Sequence, residues 1–153
     1  MGLDMYLEKV NRNYFISLNG KLDGNDIWEH STEVGYWRKA NQIHRWFVDA
    51  VQNGKDDCGY YQVSKGDLEI LLELCKKVKD SITLVEDKES NIKIIENPET
   101  AKILLPTQSG FFFGDVEYNE YYLNDIKETI KILKKVLAET DFEREVILYC
   151  SSW

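Results

Sequence analysis

An α+β fold of one domain is what this sequence predicts: a small, mostly antiparallel sheet, its N- and C-terminal strands paired, packed against three main helices. Three observations carry the expectation. The chain has 153 residues of which 43% are hydrophobic, enough to build one core of normal density. Residues 3–10 and 145–151 alternate apolar and polar side chains with the two-residue period of half-buried strands. Between them, three stretches carry apolar residues at helical spacing. Strands at the two extremes close an α+β sandwich most directly by pairing side by side. With no low-complexity tract or proline-rich linker, residues 1–153 read as a single globular domain.

The elements follow in order. Leu3, Met5 and Leu7 share one face of the first strand, and Asp4, Tyr6 and Glu8 share the other. Residues 14–18 read as its hairpin partner. Residues 19–34, with Gly20, Gly24, Asn25 and Asp26, read as a loop pinned by Trp28. From 37 to 53 a helical projection gathers Tyr36, Trp37, Ala40, Phe47, Val48 and Val51 on one side, and Asn53 with Gly54 ends the helix. Residues 58–63 form a short strand. Ser64 and Asp67 then make a capping box for a second helix to about residue 80, with Leu68, Leu71, Leu72, Cys75 and Val78 as its inner stripe. Two β-branched runs, 82–85 and 92–95, form a small hairpin. Asn97, Pro98 and Glu99 start a short helix that Pro106 stops. The longest helix runs over 118–139, where Leu123, Ile126, Ile130, Leu133 and Leu137 define a docking stripe too short for a free coiled coil.

Composition excludes several function classes. A formal net charge of −8 opposes a nucleic-acid coat and binding to anionic membrane surfaces. No run approaches the roughly 18 apolar residues of a membrane span. Cys58, Cys75 and Cys150 are odd in number and form no CxxC pair, which fits a reducing cytosol. Residues 1–6 show no secretion signal, and Tyr6 breaks the myristoylation pattern, so the expected location is the cytoplasm. His30 and His44 lack partners at zinc spacing, and there is no GxSxG, GxGxxG or HExxH. No metal site, cofactor or catalytic residue is therefore assigned.

Polar chemistry concentrates in two stretches. In YWRKANQIHRWF, residues 36–47, Arg38, Lys39 and Arg45 form the dense basic cluster of an acidic chain, with Trp37 beside them as a stacking surface. Guanidinium forks bind phosphate or carboxylate through two parallel hydrogen bonds. His44 falls at the centre of the apolar arc and Asn41 at its edge. Two readings stand for this pair: a satisfied core histidine, or two groups lining a cavity and facing a ligand. In LLPTQSGFFFG, residues 104–114, Thr107, Gln108, Ser109 and Gly110 offer hydroxyls, an amide and freed backbone N–H groups, the ingredients of an anion nest. Phe111, Phe112 and Phe113 read as a strand with alternate rings in the core, and Gly114 as its exit turn. The candidate ligand-binding residues are Trp37, Arg38, Asn41, His44, Thr107, Gln108, Ser109 and Gly110.

GLDMYL, YWRKANQIH and LLPTQSGFFFG together resemble a family of small proteins encoded by tailed phages and prophages. The resemblance covers most of the chain outside residues 11–34 and 82–97. It implies a phage-encoded protein acting in the host cytosol and, by analogy, a counter-defence role: sequestering a nucleotide signal or blocking a defence effector. Three function classes follow. The first, and the expectation here, is a binder of a small anionic metabolite or nucleotide. The second is a protein-surface inhibitor using acidic faces around Glu117, Glu120, Asp125 and Glu128. The third is a nucleotide-processing enzyme. Four tryptophans and nine tyrosines leave aromatic surface for a symmetric contact, so a homodimer or higher homo-oligomer is expected.

Overall fold

A computed structural model describes residues 2–153. Along the chain run β1 (Asp4–Asn11), α1 (Arg12–Ser17), α2 (Gly24–His30), β2 (Ser31–Arg38), α3 (Asn41–Ala50), β3 (Tyr61–Val63), α4 (Lys65–Ser81), β4 (Leu84–Glu86), β5 (Lys93–Ile95), α5 (Glu99–Leu104), α6 (Glu120–Glu139) and β6 (Glu145–Ser152). The main sheet has the order β2-β1-β6-β3, and every neighbouring pair is antiparallel. β4 and β5 form a separate two-stranded ribbon. The fold is the expected α+β arrangement of one small domain. Its first and last strands pair from Asp4 opposite Ser152 to Asn11 opposite Glu145.

Strand alternation sorts the side chains into two cores. Leu3, Met5, Leu7, Ile147 and Tyr149 point inward and are covered by the apolar stripes of α3, α4 and α6, including Phe47, Leu71 and Ile126. On the outer face Val10, Val146 and Leu148 pack with Ile27 of α2, and Tyr14, Phe15, Leu22 and Tyr60 close around them. Burial of these side chains supplies the main driving force, on the order of 1.5–3 kcal/mol for each large apolar residue. At Gly35 of β2 the helix α6 comes so close that an added Cβ would lie 2.8 Å from Ile132 Cγ2.

The capping box expected at Ser64 is present, whereas the cap expected at Asn97 is not formed and the longest helix starts at Glu120 behind an Asn119 cap. Ser64 Oγ accepts from Asp67 N, and the Asp67 carboxylate accepts from Ser64 N, closing the capping box of α4. Asn119 caps α6 by accepting from Tyr121 N and Tyr122 N. Pro98 takes the cap position of α5, while Asn97 ties Thr83 N to the Ser81 carbonyl instead. Among the described residues no helix is long and apolar enough to cross a membrane.

Four expectations are corrected. Residues 14–17 belong to a helix and Leu18 ends it, because Asn11 accepts from Asn13 N and Tyr14 N and turns the chain out of β1. Residues 19–34 are no loop: an Asp23–Asp26 capping box starts α2, and Ser31 opens β2. Tyr36 and Trp37 are strand residues, and Trp37 faces the core by the two-residue period rather than by helical phase. Phe111, Phe112 and Phe113 form a turn in which Phe112 takes φ 60° and only Phe113 is buried.

Candidate functional site

The two polar stretches meet, and Asn41 joins them. Placed at the first turn of α3 by the bend at Lys39, its buried side chain donates from Nδ2 to the carbonyls of Phe113 (3.1 Å) and Asp115 (2.9 Å). Its Oδ1 accepts from Gln108 N at 2.9 Å. Arg45 Nη1 donates to the Thr107 carbonyl at 3.0 Å. Thr107 N donates to the Tyr118 hydroxyl at 3.1 Å, and Thr107 Oγ1 donates to the Val116 carbonyl at 2.9 Å. The N–H groups of Thr107 and Gln108 are thus engaged within the protein. Gly110 admits the Phe113 ring, which lies 2.5 Å from where a Cβ would stand. Ser109 is exposed beside it. These residues lock the 107–114 loop onto α3.

Trp37 and His44 are deeper still. The Trp37 indole donates to Thr129 Oγ1 at 2.8 Å and meets Phe47 edge-on. His44 is 0% exposed, and its ring spans two side chains. Nδ1 lies 2.6 Å from the Tyr149 hydroxyl and Nε2 lies 3.0 Å from Asp56 Oδ2. A carboxylate only accepts, so Nε2–H donates to Asp56, and in the neutral ring Nδ1 accepts a hydrogen bond from the Tyr149 hydroxyl. The Trp153 indole donates to the other Asp56 oxygen at 3.0 Å. Burial holds the Tyr149 phenol well above its ordinary pKa, which keeps that proton in place. The chain Trp153–Asp56–His44–Tyr149 ties α3 and the approach to β3 to the last strand.

Arg38, unlike the buried Trp37, Asn41 and His44, lines an open cleft. A cleft of about 250 Å³ lies between the β2–α3 bend and the start of α6, with Lys39, Gln42, Tyr121 and the carboxyls of Asp115, Glu117 and Asp125 around it. The Arg38 guanidinium is 3.6 Å from Asp4 Oδ1, a loose pair in which Asp4 already accepts the Tyr36 hydroxyl at 2.6 Å. Lys39 turns the corner at φ 58°, and a Cβ on Gly114 would fall 3.0 Å from Lys39 Cβ, so only glycine allows this approach. Burial raises the Asp125 carboxyl to about 6, with a hydrogen bond from Gln42 opposing part of the rise. Asp115 is occupied: Oδ2 accepts from Asn119 Nδ2 and Oδ1 from Glu117 N.

Gln42, Tyr121 and Asp125 line the cleft but are not among the eight candidate ligand-binding residues; the sequence assigns Asp125 to an acidic face instead. Their signal was present in spacing. Tyr121 and Asp125 stand four apart on the first turns of α6 and so share a face, and Gln42 follows Asn41. Of the acidic set Glu117, Glu120, Asp125 and Glu128, Asp125 and Glu120 are half-buried and the other two exposed. On the opposite side of the sheet, a cavity of about 430 Å³ under α2 shares no lining residue with the cleft. Among the described residues no cluster of His, Cys, Asp or Glu is arranged to hold a metal ion. No protein-family model, curated protein or solved structure matches this chain.

Proposed function

We propose that the chain is a small-molecule-binding protein that holds an anionic, nucleotide-like metabolite in the cleft between the β2–α3 bend and α6. The observation that carries this reading is the grouping of Arg38 and Lys39, both exposed, with the exposed Tyr121 ring and the Asp125 carboxyl around one cleft. A guanidinium in a loose, solvent-screened pair exchanges its partner at little cost, so Arg38 is free to fork onto a phosphate or carboxylate. Lys39 adds a point charge. Tyr121 offers a flat face to a base. Asp125, largely protonated below about pH 6, can donate a hydrogen bond to an acceptor on the ligand.

The frame is preorganised. Asn41 fixes one wall through three hydrogen bonds, which lowers the ordering cost of binding. The cleft's size suits a single base or anionic head rather than a dinucleotide. With the resemblance to phage-encoded proteins, the role that fits is sequestration of a nucleotide signal in the host cytosol.

The test is a thermal-shift and calorimetric screen of linear and cyclic mononucleotides against the parent protein, Arg38→Ala and Tyr121→Ala. A bound ligand raises the Tm of the parent by mass action. Arg38→Ala should weaken binding roughly tenfold or more, the worth of one charged hydrogen bond, with the unliganded Tm unchanged. Absence of any shift at about a hundred times a micromolar Kd would overturn the proposal.

A further inference from the structure

α2 crosses the outer face of β1 and β2 without sealing it, and beneath it lies the cavity of about 430 Å³. Tyr6 and Glu8 of β1 and Cys150 and Ser152 of β6 make its floor, because alternate residues of adjacent strands face the same side. Tyr60 walls it, and Trp28, 88% exposed, stands at the rim with Glu33. No lysine, arginine or histidine lines it. Its charged groups are two carboxylates, and its large apolar side chains are three aromatics and Ile27.

Glu8 is the unusual member. It is 9% exposed, and its Oε2 accepts from Ser31 Oγ at 2.9 Å. That hydroxyl also faces the Ile27 carbonyl, and its single proton serves one acceptor at a time. Among the described residues no cation pairs with Glu8 and no other hydrogen bond reaches it. A buried carboxylate without a cation is held at a cost unless a partner arrives. Aromatic faces beside carboxylates are the chemistry that recognises positive charge on an organic ligand.

We infer that this cavity binds an organic ammonium ion: the cationic head meets Glu8 and Glu33, and the apolar body lies against Tyr6, Tyr60 and Trp28. The acidic net charge of the chain favours the encounter. The site is separate from the Arg38 cleft, and either can fail without the other.

Ionisation of Glu8 is coupled to the ligand. Burial first, and then the charge of Glu33 on β2, raise its carboxyl pKa against the lowering effect of Ser31. The other titratable groups around it are Tyr6 on β1, Cys150 on β6, Cys58 and Tyr60 ahead of β3, and Asp23 at the cap of α2. Tyr6, Tyr60 and Cys150 are themselves pushed upward by burial, the Cys150 thiol to about 12, and keep their protons. Affinity for a cation therefore rises with pH as Glu8 loses its proton.

The experiment titrates three soluble probes of similar size into 15N-labelled protein: phenethylammonium, 2-phenylethanol and 3-phenylpropanoate. Phenethylammonium should bind at least roughly tenfold more tightly than the alcohol near neutral pH, since one ionised contact separates them. Shifted amides should cluster at Ser31, Tyr60 and Ser152. Glu8→Gln, which mimics the protonated side chain, should bring the ammonium down to the level of the alcohol, and Glu33→Gln should weaken it less. Gly24→Leu should close the cavity to both probes while leaving the fold intact, since a Cβ there meets nothing nearer than Tyr60 Oη at 4.0 Å. Equal binding of ammonium and alcohol to the parent, or tighter binding of the carboxylate, would overturn the cationic assignment. No perturbation by any probe at about millimolar concentration, the weak end of measurable affinity, would remove the site altogether.

Discussion

Asp125 shows how one side chain can oppose the fold that positions it. Its carboxyl titrates near 6 in the folded protein against an ordinary value of 3.8, because it is withdrawn from water beside Gln42 and Tyr122. Between those two values the folded state holds the extra proton, so stability is greatest below the lower pKa and declines as pH rises through the window. Asp125→Asn should abolish that decline. Urea unfolding should give the variant and parent similar stability near pH 3.5 and a clear advantage to the variant near pH 7.5. Residue roles were only partly legible beforehand. Asn41 and His44 were singled out because polar groups at buried phases need partners, and both have them. What spacing could not reveal is who the partners are: Phe113, Asp115 and Gln108 lie more than 60 positions away from Asn41, and Tyr149 lies 105 from His44. Asn41, Thr107 and the Gln108 N–H, which looked ready for a ligand, are used in holding the loop, and the cleft is lined by Arg38 and its neighbours.

Elements with strong periodicity or a complete cap signal were readable: α4 begins at its Ser64–Asp67 box and α6 follows its apolar stripe. β2 was not, for two reasons. Its N-terminal part follows a stretch rich in Gly, Asn and Asp, which signals turns, although here Asp23 and Asp26 use the same polar groups to cap a helix. Its C-terminal part runs without a breaker into α3, because the corner is made by Lys39 in a left-handed conformation rather than by glycine. Phe111 to Phe113 failed similarly, as the Asn41 clamp and a φ of 60° at Phe112 override the β propensity of the aromatic run. Docking of α6 on β2 depends on Gly35 having no side chain. Gly35→Ala should cost about 1–3 kcal/mol by forcing Ile132 and Leu7 aside. Gly66→Ala, in the first turn of α4 with only Ser64 Oγ at 3.8 Å, should be neutral or stabilising by up to about 1 kcal/mol. Parallel thermal denaturation of the two variants checks the contrast.

At the scale of the whole molecule, the central pair of the sheet joins strands from opposite regions of the chain. Arg12 Nη2 donates to the Glu145 carbonyl across a sequence separation of 133 residues. Non-local pairing of this kind slows folding, since loop closure precedes its reward. A circular permutant that links residue 153 to residue 2 and opens the chain in the β4–β5 turn, between Lys88 and Glu89, would make β6 and β1 a local hairpin. It should refold faster than the parent in stopped-flow experiments while keeping the same sheet. The same pairing has a consequence during protein synthesis. At roughly 5–20 residues per second, the last residue of β1 is polymerised roughly 7–27 s before the first residue of its partner β6. For that interval the edge meant for β6 is an open template, with Leu3, Met5 and Leu7 uncovered along one side. Slower translation lengthens that interval, and is expected to lower the fraction of chains that reach the native sheet.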